Sequence, residues 1–139
     1  MSRSGYSEDC DEWALIRWRG AVKSAIRGKR GQAFLKEMAA AMDSMPEKKL
    51  AEKELECAEG VCAIGSVGAA RGIDMSDLDP DDRETVANVF GISPALVAEI
   101  VYENDEIFYQ ESPEHRFVRM RAWIDENLND AAAKQHKLI

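Results

Sequence analysis

Apolar residues recur at helical spacing along most of this chain, interrupted by short polar stretches rich in Gly, Pro, Ser and Asp. Leu15, Trp18, Val22 and Ala25/Ile26 lay one apolar stripe along a segment from Asp11 to Ile26, the pattern of an amphipathic helix. Asp11 and Glu12 at its start, and arginines and lysines toward its end, complement the helix dipole. Gly28-Lys29-Arg30-Gly31 reads as a basic turn. Phe34, Leu35, Met38, Ala41 and Met42 then define a second helix from Gln32 to about Ser44, with Pro46 just past its end. Two helices joined by so short a turn are expected to pack antiparallel, as an αα-hairpin.

Residues 47–59 offer only Leu50 and Leu55 as apolar markers, so an extra helical turn and a short strand or hairpin both stay open. Val61 to Arg71 is rich in small residues and reads as buried, closed by Gly72 as a C-cap. Gly65 and Ala69, four apart, would let another helix approach closely. Three helix starts follow. Asp79-Pro80-Asp81-Asp82 predicts a helix to Phe90, stopped by Gly91. Ser93-Pro94 opens another through about Tyr102. Ser112-Pro113-Glu114 opens a last one, with Phe117, Met120/Arg121, Ile124 and Leu128 at core spacing. Residues 1–10 and 130–139 read as loose polar ends. The expected fold is mainly α, one compact domain over 1–139 of about six short helices. A basic helical hairpin occupies 11–45, with room for one short strand or hairpin near 50–60. An acidic helical part at 61–128 contains a helix-turn-helix-like unit at 80–103.

Composition narrows the class further. With 139 residues, 45% hydrophobic and 32% charged, the chain suits one globular core rather than disorder. No apolar run approaches the roughly 18 residues of a spanning helix, and Met1-Ser2-Arg3-Ser4-Gly5 is not an apolar signal stretch. The expectation is a cytoplasmic protein with no membrane partner. Cys10, Cys57 and Cys62 form neither an even framework nor a CxxC pair, and read as reduced thiols.

Charge changes the picture most. The net charge is −8, yet from Arg17 to Lys36 there are seven bases and no acid. From Ile73 to Ser112 there are eleven acids against Arg83 alone, a local charge of −10. Blocks of opposite sign fit two partners, each other, or simply two solvated faces. They also fit head-to-tail self-association, and an exposed Trp13 would suit the seam of a homodimer.

Few motifs carry chemistry. Ala87 to Val97 fits a helix-turn-helix signature, with Val97 and Ile100 facing inward. The outer face of its second helix would offer Ala95, Ala98, Glu99, Tyr102 and Glu103, which repel phosphates instead of reading bases. Gly65-Ser66-Val67-Gly68 spells an RNA-clamp GxxG in an apolar setting that does not suit one. Asp77-Leu78-Asp79-Pro80-Asp81 starts like a calcium loop but has Asp82 and Asn88 where Gly and Glu are required. His115 and His136 lack zinc spacing to the cysteines. No GxSxG, P-loop or HExxH motif occurs, so no catalytic residue, metal or cofactor is assigned.

Several segments carry a resemblance. Gly60-Val61-Cys62-Ala63-Ile64-Gly65-Ser66-Val67-Gly68, Phe90-Gly91-Ile92, Tyr102-Glu103-Asn104-Asp105-Glu106 and Ser112-Pro113-Glu114 resemble an uncharacterised family of small phage and prophage proteins. Arg116-Phe117, Trp123-Ile124, Ser2-Arg3-Ser4-Gly5-Tyr6 and Trp13 to Gly20 are similar to the same family. The resemblance covers most of the chain and implies a phage accessory gene product, without an activity to carry over. By class, such small acidic proteins include inhibitors of host defence, anti-CRISPR proteins among them.

The expected function is that of a non-enzymatic phage accessory protein, acting in the bacterial cytoplasm. It would bind and inhibit a host protein or ribonucleoprotein, such as a CRISPR-type defence complex, through charged surfaces. Asp81, Asp82, Glu103, Asp105 and Glu106 are the acidic candidates, mimicking nucleic-acid charge against a basic groove. Arg17, Arg19, Lys23, Arg27 and Arg30 are the basic candidates, for an acidic partner or nucleic acid. The alternative is a nucleic-acid-binding regulator using the basic hairpin and the helix-turn-helix-like scaffold.

Overall fold

The computed structural model describes residues 3–6 and 12–129, with the backbone alone described for 12–15. Among the described residues six helices form around one core: α1 (Glu12–Arg27), α2 (Lys29–Asp43), α3 (Ala63–Arg71), α4 (Arg83–Phe90), α5 (Pro94–Asp105) and α6 (Pro113–Asn127). The mainly α expectation therefore holds. The segment before α3 contains a two-stranded antiparallel hairpin, β1 (Glu56–Cys57) and β2 (Gly60–Val61), with Glu56 opposite Val61 and Cys57 opposite Gly60. This resolves the ambiguity at 47–59 in favour of a hairpin. The expectations for Cys10, Asp11, His136, the side chains of Trp13 and Leu15, and the C-terminal tail lie outside the described residues.

α5 runs through the middle of the fold, touched by α1, α3, α4 and α6, while α2 packs on α1, α3 and α6. Leu35, Met38 and Met42 of α2 meet Ile64 and Val67 of α3, Leu96 and Ile100 of α5, and Met120 and Ile124 of α6 in one apolar cluster. The apolar residues expected to face inward on α2 and α6 all do so, and Leu50 and Leu55 are buried too. Among the described side chains of α1, Val22 is buried and Trp18, Ala25 and Ile26 are half-buried.

Local chemistry sets most boundaries. Ser93 and Ser112 cap α5 and α6 through their side-chain oxygens, each followed by Pro in the first turn. This is the preorganised start that Ser-Pro encodes. Gly72 and Gly91 close α3 and α4 in the left-handed conformation, at φ 72° and 74°.

Other boundaries depart from expectation for identifiable reasons. α2 begins at Lys29, not Gln32, because Gly28 alone is extended and breaks the helix. Gly31 lies in the first turn of α2, where only glycine fits because a Cβ would lie 1.8 Å from the Ala25 carbonyl oxygen of α1. The acidic start at Asp79-Pro80 forms a turn instead: the Asp79 carboxylate accepts from Asp81 N–H, and Asp82 caps α4 by accepting from Thr85. α3 begins at Ala63, capped by the Cys62 thiol, which accepts from Gly65 N–H. Gly65 admits the Leu55 backbone, whose oxygen would lie 1.9 Å from a Cβ, and Ala69 is exposed, so the Gly65/Ala69 pair does not receive a helix. α5 extends past Tyr102 to Asp105.

The N-terminal segment corrects a second expectation. Residues 3–6 are not loose; Arg3 and Ser4 are buried. The Arg3 guanidinium grips Asp105 at the end of α5 with two hydrogen bonds of 2.7 Å each, and Arg83 donates to the Ser4 carbonyl at 3.0 Å. A sequence scan scores Ser-Arg-Ser-Gly as polar, but its arginine finds a buried carboxylate, and burial of a charge is tolerated where a partner matches it.

Candidate interaction site

The five acidic candidates separate by environment. Asp105 is an internal structural group, its side chain only 3% exposed. Besides Arg3, it accepts from Lys53 N–H at 3.0 Å and from the Asn104 side chain at 2.8 Å. Burial opposes its ionisation, but the guanidinium and these donors outweigh burial and hold its carboxyl below the usual range. Glu103 is half-buried beside Arg119, and burial together with neighbouring Glu99 pushes its carboxyl up. Asp82 is spent on capping α4. Only Asp81 and Glu106 combine exposure with no structural duty for the carboxylate. A buried ion pair and a free surface acid look identical in a string of Asp and Glu.

The proposed recognition helix is covered. α4 and α5 meet at 105° across a three-residue turn, a helix-turn-helix geometry. On α5, however, Ala98 is fully buried, and Glu99 accepts a 2.7 Å hydrogen bond from the Tyr6 hydroxyl. Tyr6 also packs against Tyr102 and edge-on against Trp18 of α1. Burial and the Glu99 hydrogen bond both drive the Tyr6 phenol well above its ordinary value, so it stays protonated and donating. The face that would enter a groove is thus occupied by the N-terminal segment and α1.

The five basic candidates, Arg17, Arg19, Lys23, Arg27 and Arg30, are all exposed. Among the described residues no carboxylate forms an ion pair with any of them. The arginines that do pair lie elsewhere, such as Arg71 with Glu37 at 2.6 Å and Arg121 with Asp43 at 2.9 Å. The basic and acidic blocks are therefore not joined to each other by any described ion pair of these five bases.

A surface not singled out in the sequence is the α5–α6 loop. Ile107, Phe108 and Tyr109 are 38%, 50% and 92% exposed, and Val118 on the adjoining face of α6 is 66% exposed. Phe108 stands edge-on to His115 and lies under the Arg119 guanidinium, 5.4 Å from ring centre to carbon. The loop's base is fixed by Glu111, whose side chain is only 2% exposed. Glu111 receives two hydrogen bonds from Arg119, at 2.7 and 2.9 Å, and a 2.5 Å contact from His115. Burial would raise the Glu111 carboxyl, yet Arg119, His115 and Arg116 together hold it low. Arg116, itself buried, donates to the Leu50 and Glu111 carbonyls at 2.8 and 3.1 Å, tying the loop to the hairpin segment. Gln110 takes a positive φ of 57°, unusual outside glycine. An aperiodic Ile-Phe-Tyr run between two glutamates was the available signal in the sequence.

Among the described residues no group of three or more His, Cys, Asp or Glu side chains is placed to hold a metal ion. No family model, curated protein or solved structure matches the chain.

Proposed function

We propose that this protein is a non-enzymatic interaction protein that docks through the α5–α6 loop onto a host protein or ribonucleoprotein and inhibits it. The carrying observation is the Ile107-Phe108-Tyr109 tip: large aromatic side chains in solvent, on a loop whose base is locked by a buried carboxylate and two arginines. Exposed aromatics on a fixed backbone are the usual anchors of protein interfaces, because they bury much area at little cost in conformational entropy. The left-handed Gln110 fits the same reading, since strained backbone concentrates where a loop serves binding.

Charge specifies the partner's chemistry. Glu106 before the tip and Glu114 after it are exposed, so the complementary surface is an apolar pocket rimmed by Lys and Arg. The exposed acids from Asp74 to Glu84 add to the negative surface of the chain, which favours a basic partner. The phage origin suggested by the resemblance in Gly60 to Gly68 and Tyr102 to Glu106 belongs to this proposal. A bacterial defence complex would be its target.

The test is affinity capture from nuclease-treated bacterial lysate with the native chain and with Phe108→Ala/Tyr109→Ala. Removing two interface anchors is expected to weaken binding by about 30-fold or more, on the order of 2 kcal/mol. The captured partner should disappear with the loop variant and return to native levels with Val89→Ala, a change at an exposed α4 position. A partner retained equally by the loop variant refutes the docking site.

A further inference from the structure

The exposed face of α1 is unexplained by docking through the α5–α6 loop. Arg19, Lys23 and Arg27 are spaced four apart, which puts them on one side of the helix over about 12 Å. Arg30, exposed in the first turn of α2 three residues after Arg27, adds a fourth cation just past the break at Gly28. Like charges at this spacing work against the helix, and no described carboxylate relieves them by pairing. Beside Arg27 on this side stands Gly20, exposed and without a side chain.

We propose that the Arg19–Lys23–Arg27–Arg30 line binds the phosphate backbone of a nucleic acid. The proposal goes beyond the protein-docking reading and uses a different surface. Three features favour phosphates over an acidic protein. Three of the four cations are arginines, whose planar fork suits bidentate phosphate contact. The charges form a line, as a strand's phosphates do. Among the described side chains this face carries no aromatic anchor of the kind a protein interface needs, Ile16 being the only large exposed apolar one. Gly20 on this face leaves the polynucleotide room to lie close. The overall charge of −8 does not forbid this. At physiological salt, charges beyond about 8 Å are largely screened, so the local cations govern contact.

With no base-reading side chain on the line, binding should be sequence-independent and salt-controlled. Four phosphate contacts give a log–log salt slope of about −3.6 on duplex and about −2.8 on a single strand. The duplex value corresponds to a loss of about 150-fold between roughly 50 and 200 mM salt.

The test is fluorescence anisotropy of the full chain with labelled RNA and DNA, each single-stranded and duplex, across that salt range. Lys23→Ala should reduce the slope by about 1, and Lys23→Ala/Arg27→Ala by about 2. Alanine is the strongest helix former, so these exposed changes preserve α1, and circular dichroism verifies it. Arg17→Ala should leave the slope unchanged, because Arg17 lies about 120° round the helix from Lys23. Phe108→Ala/Tyr109→Ala should also leave it unchanged, which separates failure of this proposal from failure of the docking loop. No binding at low salt, or a slope unmoved by the double variant, overturns it. Displacement by polyglutamate as effectively as by nucleic acid of equal charge also overturns it and assigns the line to an acidic protein.

Discussion

Replacing Arg3 by Ala should destabilise the fold strongly. Arg3 and Asp105 have side chains only 2% and 3% exposed, joined by two hydrogen bonds of 2.7 Å. Losing the guanidinium leaves the Asp105 carboxylate buried, with Lys53 N–H and Asn104 as remaining donors. Removing one partner of a buried pair costs about 3–5 kcal/mol, mostly from the charge left behind. For a domain of this size that corresponds to a fall in Tm of about 10 °C or more. Thermal and urea unfolding followed by circular dichroism measure it directly. The sign of the pH dependence follows from the depressed carboxyl. Its folded-state value lies below the unfolded one, so its stabilisation is present above about pH 4 and is lost as pH falls through the folded value. The gap between the native chain and Arg3→Ala should therefore close on acidification. A Tm change under about 3 °C at pH 7, or a gap that widens in acid, would refute the docked N-terminal segment.

Three further changes test other parts of the fold. Gly20 lies mid-helix, and a Cβ added there would meet nothing within 4 Å, so Gly20→Ala should stabilise by about 0.4–1 kcal/mol in urea unfolding. Gly65→Ala should do the opposite, costing about 1–3 kcal/mol or more, because its Cβ would meet the Leu55 carbonyl oxygen at 1.9 Å and push the hairpin segment off α3. Glu103→Gln should raise stability at pH 7: burial and Glu99 raise the native carboxyl above its unfolded value, so the charged form is the disfavoured one. That benefit should vanish below about pH 4, where the native residue is itself protonated.

The helices are legible in the sequence because their signals are local. Ser93-Pro94 and Ser112-Pro113 encode starts, Gly72 and Gly91 encode stops, and the spacing of Met38 with Met42 or Met120 with Ile124 encodes a buried face. Non-local features are not legible. Nothing adjacent to Arg3 announces Asp105, more than a hundred positions away, and nothing adjacent to Gly65 announces Leu55. Both acts of burial depend on how the chain returns on itself. The acidic candidates illustrate the same limit: Asp81 and Glu106 reach solvent, Asp82 is drawn into a cap and Asp105 into an ion pair. The helix-turn-helix pattern does encode the α4–α5 geometry, but the covering of α5 by Tyr6 and Trp18 is a tertiary fact. The aromatic loop gives no periodic signal at Ile107-Phe108-Tyr109, and its exposure is imposed by Glu111, Arg116 and Arg119 beneath it.

The most direct measurement is site-specific photocrosslinking from the loop tip. Tyr109, at 92% exposure, is replaced by benzoylphenylalanine, and the same probe is placed at Val89 on α4, which is also exposed. After irradiation in nuclease-treated bacterial lysate, one discrete protein adduct is expected from position 109, absent from position 89 and abolished by adding excess unlabelled native chain. The same adduct pattern from both positions, or an adduct from 109 that excess native chain does not suppress, would contradict the assignment of this loop as the docking site.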